Sequence, residues 1–116
     1  MTEKNQKRLH VLWTSGGKET ALNMVFMYTI NSLKYEWWDE VTLLIWGDAT
    51  RLSSEDAEVQ EKIHQARQAG VRVIACKKCA ENLGLVEALE ALGVEVFYTG
   101  VLLTEWLQSG QKLLTI

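Results

Sequence analysis

Two cysteines, Cys76 and Cys79, stand three positions apart in the segment VIACKKCAENLG, where a predicted strand ends. The thiolate is the reactive form of cysteine, and backbone N–H groups or nearby cations favour it. Lys77 and Lys78 supply two positive charges between the thiols. This arrangement has three readings. Cys76 can be a nucleophile that takes up, holds and passes on a sulfur atom. The pair can be a dithiol that cycles through a disulfide. Alternatively, Cys76 is a small packed residue of a buried strand, as free cysteines often are.

Other uses of a Cys-x-x-Cys pair fit less well. The chain has no proline, so the cis-proline that faces the dithiol of thioredoxins has no counterpart. A closed zinc site needs four ligands. The remaining soft candidates are His10, in a predicted strand, and His64, in mid-helix, and neither has partner spacing. No metal and no cofactor is expected.

A second candidate is the turn TSGGKET, from Thr14 to Thr20. It follows a strand and opens a helix, where the N–H groups around Ser15, Gly16 and Gly17 can hold a small anion. Its spacing is not that of a Walker A loop. Six residues are similar to the SGGxDS loop of ATP pyrophosphatases, with Glu19 and Thr20 in the last two places. The plainer expectation is a helix entry capped by Thr14 or Ser15. Asp48, just after another strand, is placed to orient a ligand or to cap a helix.

The elements that must position these residues alternate. Leu9–Trp13 and Val41–Trp46 are nearly continuous apolar runs and are expected as buried strands. Helix one carries Leu22, Val25, Phe26, Thr29, Ile30 and Leu33, and Met24, Met27 and Tyr28 widen its apolar stripe. So wide a stripe predicts a subunit interface, hence a homo-oligomer. Trp37 and Trp38 are expected beneath a loop or at such a contact. Ser53 with Asp56 is expected as an acidic capping box opening helix two, which Gly70 ends. Val71–Ala75 is strand three. Leu85 to Leu92 form a short helix stopped by Gly93, Val94–Tyr98 is strand four, Leu102–Leu107 a last helix, and Leu113–Ile116 a terminal strand.

Strands alternating with helices predict a three-layer α/β/α sandwich around a mostly parallel five-stranded sheet, one domain over 1–116. Ligands gather at the carboxyl ends of strands in such sheets. The segments of interest are therefore Thr14–Thr20, Gly47–Leu52, Cys76–Gly84 and Thr99–Thr104. With 116 residues, 47% hydrophobic content and a net charge of −3, the chain offers no basic face for nucleic acid. It has no apolar run of membrane-spanning length and no apolar N-terminal segment of secretory type. Two cysteines without a disulfide framework point to the cytoplasm.

The chain resembles the DsrE-like family of small sulfur-transfer proteins. The similarity runs through VLWTSGGKETALNMVFMY, VTLLIWGD, GVRVIACKKCAENLG, LEALGVEVFYTG and LTEWLQSG. The resemblance implies that Cys76, followed eight residues later by Gly84, occupies the position that bears a persulfide in sulfur-carrying members. It also implies a sulfur donor or acceptor protein as partner. Cys79 is not part of that carrier pattern. A non-catalytic assembly or small-anion-binding module is the alternative of a different class.

Overall fold

The computed structural model describes residues 7–116. The apolar runs form strands β1 (Arg8–Trp13), β2 (Glu40–Ile45), β3 (Arg72–Cys76), β4 (Glu95–Phe97) and β5 (Leu113–Thr115). They build one sheet in the order β4-β3-β2-β1-β5. Every neighbouring pair is parallel, so the expected mostly parallel sheet is wholly parallel.

The order of strands explains how the helices are shared between the two faces. From β1 to β4 the chain steps one way across the sheet, and right-handed crossovers then fall on a single face. Helices α1 (Lys18–Thr20), α2 (Phe26–Lys34), α3 (Asp48–Glu55), α4 (Ala57–Ala69), α5 (Lys77–Leu83) and α6 (Val86–Ala91) lie in these connections. Val11, Trp13, Leu43, Ile45, Val73 and Ala75 meet their apolar stripes there, against Phe26, Ile63, Ala66 and Leu89 among others. Burying each large side chain of that set contributes roughly 1.5–3 kcal/mol.

The return from β4 to β5 crosses back over the sheet and carries the one remaining helix, α7 (Gly100–Gln108). It covers the opposite face through Trp106, which packs with Leu44 and Ile74. Trp46, at the end of the second predicted strand, and Leu103 pack at the edge of this smaller cluster.

Several boundaries differ from the sequence expectation. The first helix contains a π-helical stretch, Ala21–Val25, between α1 and α2. Cys76 is the last residue of β3 itself. The region from Ser53 needs a larger correction. Ser53 lies inside α3, fully buried, and caps nothing. Asp56 is itself the cap of a separate helix: its backbone is extended (φ −107°, ψ 121°), and its carboxylate accepts the Val59 N–H at 3.0 Å. One expected helix is therefore two. Gly70 ends α4 in the left-handed conformation, as its position suggested.

Candidate functional site

Cys76 stands where β3 gives way to α5. Its backbone is still extended (φ −73°, ψ 118°), which makes it the N-terminal cap residue of that helix. Strand alternation puts its side chain on the same face as Ile74, and in register it is the partner of Phe97. The thiol is buried, with the residue 3% exposed.

Cys79 is the third residue of α5 and is partly exposed. Its sulfur lies 3.5 Å from the Thr50 hydroxyl and 3.8 Å from the Gly47 carbonyl. Both cysteines are free thiols. The helix that carries them is closed by Gly84, which adopts φ +72°. In that conformation the N–H of Leu85 reaches the Ala80 carbonyl at 2.8 Å.

The two lysines have different surroundings. Lys77 Nζ lies over the ring of Tyr98, 5.4 Å from its centre. Tyr98 in turn donates its hydroxyl to Glu81 Oε2 at 2.8 Å, and that bond holds the phenol above its ordinary pKa. Lys77 and Glu81 are one helical turn apart, so Tyr98 joins the end of β4 to one face of α5. Lys78 is exposed to solvent.

Gly47 brings the remaining segments together. It has φ +63° and ψ −141°, a conformation open to glycine. A Cβ there would stand 3.3 Å from the Thr14 carbonyl oxygen. The ends of β1 and β2 thus meet at Gly47, and its own carbonyl meets Cys79. Asp48 opens α3 and is exposed. A Cβ on Gly16 would lie 3.0 Å from the Asp48 Cβ, so the acid sits against the glycine turn.

The donors of that turn are partly engaged. The N–H groups of Thr14 and Ser15 reach the Ile116 carbonyl oxygen at 2.7 and 3.3 Å. The Ser15 hydroxyl is buried without a partner. Gly17 caps α1 through its backbone, with no side-chain bond. Lys18 is paired with Asp56 and Glu58 at 3.1 and 2.7 Å.

Cys79 therefore meets the Gly47–Thr50 segment and Lys77 meets Tyr98, while Cys76 stands at the start of the same helix with its side chain on the Ile74 side. Gly47 meets Thr14 at the start of the glycine turn, and Gly16 of that turn lies against Asp48. Thr50 and Tyr98 were missed in the sequence. Tyr98 was open to inference, because pairing Cys76 with Phe97 brings Lys77 beside the next residue. Thr50 acquires its role only when α3 packs on α5. His10 is a packed residue: it stacks on Trp106 with centroids 3.9 Å apart, and its Nε2 lies 2.6 Å from Gln111 Oε1. His64 is exposed on α4.

Among the described residues no group of three or more His, Cys, Asp or Glu is placed to hold a metal ion. Among them, too, no helix is long and apolar enough to cross a membrane.

Residues 7–116 match the DsrE/DsrF-like family. The chain is similar to the conserved protein of unknown function BT1422 from Bacteroides thetaiotaomicron, with 38% identity, 95% of each chain covered and a TM-score of 0.93. The ychN protein from E. coli shares the fold at 22% identity and a TM-score of 0.67, over 97% of this chain and 100% of that one. MTH1491, a protein of unknown function from Methanobacterium thermoautotrophicum, does so at 14% identity and a TM-score of 0.71, with the same coverage. A comparison with curated proteins gave no match.

Proposed function

The chain belongs to the DsrE/DsrF-like family, and on that footing we propose that it handles sulfane sulfur as a persulfide on Cys76. The observation that carries this reading is the place of Cys76, a free thiol on the residue where β3 ends and α5 begins. The Cys76 thiolate attacks the outer sulfur of a persulfide donor, RS–SH, and the donor thiolate RS⁻ leaves. The product is Cys76–S–SH. An acceptor thiolate then takes the outer sulfur and returns Cys76 to its starting form. No metal or redox cofactor enters either step, because the sulfur brings its own oxidation state.

A free-thiol carrier suits a reducing compartment, so we place the protein in the cytoplasm. Its partners in this reading are a sulfur donor and a sulfur acceptor, together with further copies of itself. Self-association is supported by Met24, Met27, Tyr35 and Trp37, which are 38%, 52%, 56% and 49% exposed. Large apolar groups gathered on one surface mark contact sites.

The test is persulfide trapping by mass spectrometry after incubation with glutathione persulfide. Wild-type protein gains the mass of one sulfur on the peptide that ends at Lys77, which contains Cys76. Cys76→Ser gains none there. Absence of added sulfur on that peptide in the wild type, with or without sulfur on the Cys79 peptide, would overturn the assignment.

A further inference from the structure

The burial of Cys76 raises the question of how a bulky donor reaches it. We propose that Cys79 is the thiol that first receives sulfane sulfur, that Thr50 is its positioning residue, and that Cys76 takes the sulfur from Cys79 in a second step. This rests on the persulfide reading above, keeps Cys76 as the carrier, and replaces its direct attack on the external donor by a relay through Cys79.

Accessibility is the first ground. A thiolate that attacks a donor must approach the donor's outer sulfur along the S–S axis. Cys76 is 3% exposed and lies on the Ile74 and Phe97 side of the sheet. Cys79 is the more open of the two. Entry therefore belongs to Cys79.

The second ground is the pair of polar groups at the Cys79 sulfur. The Gly47 carbonyl can only accept, so it receives the S–H of the neutral thiol, at 3.8 Å. The Thr50 hydroxyl, 3.5 Å away, can donate to the sulfur whether it is thiol or anion. Thr50 is fully buried, and its β-branched side chain has few rotamers to choose from. One neighbour thus serves the resting thiol, and the other stays in place when the proton leaves. No such pair of side-chain and carbonyl partners attends Cys76, which caps α5 without a side-chain hydrogen bond.

The steps balance. Cys79–S⁻ attacks RS–SH, and RS⁻ leaves with the electrons of the broken S–S bond, giving Cys79–S–SH. Cys76–S⁻ then attacks the outer sulfur of Cys79–S–SH. The product is Cys76–S–SH, and Cys79–S⁻ is regenerated. The two residues are the N-cap and the third position of one helix, the spacing at which a cap side chain reaches the third residue.

The experiment follows sulfur in time on the full chain. Wild-type protein is mixed with glutathione persulfide, quenched with an alkylating reagent at intervals, and digested with trypsin. Cleavage after Lys77 and Lys78 leaves the two cysteines on separate peptides. The added sulfur is expected on the Cys79 peptide first and on the Cys76 peptide later. Cys79→Ser is expected to slow loading of Cys76 by about tenfold or more, because the buried thiol must then meet the donor directly. Cys76→Ser is expected to let the Cys79 persulfide accumulate, because its acceptor is gone. Thr50→Val is expected to slow Cys79 loading, and Thr50→Ser to restore it, which a purely structural role for the methyl group would not produce. If Cys76 loads before Cys79 in the wild type, or at an unchanged rate in Cys79→Ser, the proposed order is wrong while persulfide carriage stands. If neither peptide gains sulfur, persulfide carriage itself fails. The wild-type time course decides between these outcomes even where a variant folds poorly.

Discussion

The imidazole of His10 lies flat on the indole of Trp106, with ring centroids 3.9 Å apart and planes 7° from parallel. This stack fastens α7 to β1 on the thinly covered face of the sheet. Burial lowers the His10 pKa, with Arg8 adding to the effect, while Gln111 and Glu40 oppose it. The folded state therefore favours neutral imidazole. Its stabilising contribution is complete above the unfolded value near 6.5 and is lost as pH falls through the lower folded value. Urea midpoints are expected to drop between about pH 7 and about pH 5, and His10→Phe to flatten that slope. An equally steep slope in the variant would remove His10 as its source.

Gly47 is the most sequence-restricted position of the site. Its φ of +63° with ψ of −141° is costly for any side chain, and a Cβ would press on the Thr14 carbonyl oxygen at 3.3 Å. Gly47→Ala is expected to lose about 1–3 kcal/mol of stability. It should also alter Cys79 reactivity, since the Gly47 carbonyl is the sulfur's neighbour. Chemical denaturation and alkylation rates measure the two effects separately.

Asp56 and Ser53 separate a true cap from an apparent one. Asp56→Ala is expected to cost about 0.5–2 kcal/mol through loss of the bond to the Val59 N–H. Ser53→Ala removes a buried hydroxyl without a partner and is expected to be neutral or stabilising. The Val59 N–H, then Lys18, hold the Asp56 carboxyl below its usual pKa. That contribution is present above the unfolded carboxylate value and disappears as pH falls through the folded one. Thermal melts of both variants at neutral pH give the comparison.

The two lysines beside the thiols should behave differently. Lys77→Met gives up the contact with the Tyr98 ring and is expected to cost about 0.5–1 kcal/mol. Lys78→Met, at an exposed position, is expected to stay within about 0.5 kcal/mol of wild type. Parallel urea titrations test this, and equal losses in both variants would contradict it.

The Met24, Met27, Tyr35 and Trp37 surface predicts self-association. Light scattering at micromolar concentration is expected to give a multiple of the 13.2 kDa chain mass. Met27→Lys is expected to shift the mass toward one chain. A wild-type mass of one chain would contradict the prediction.

Local pattern was sufficient for the sheet. Strands buried on both faces need unbroken apolar runs, and β1, β2 and β3 announce themselves that way. Gly70 and Gly84 likewise mark helix ends, because a left-handed residue is cheap only for glycine. The capping box at Ser53 misled because a hydroxyl followed by an acid three residues later is a local rule. Whether the helix starts at the first residue or at the second depends on packing that the rule does not see. The wide stripe of helix one identified the exposed methionines for the same reason that it identified Phe26: spacing alone sets the face.

The place of Cys76 at a strand end was legible because an unbroken apolar run that stops at a polar segment marks the end of a buried strand. The contact of Cys79 with Thr50 and Gly47 depends on α3 packing against α5, two elements joined only through α4 and β3. No spacing in the chain encodes a contact between residues 29 positions apart. The position of a thiol in the fold follows from its own segment, whereas its exposure and its neighbours follow from the packing of elements distant in sequence.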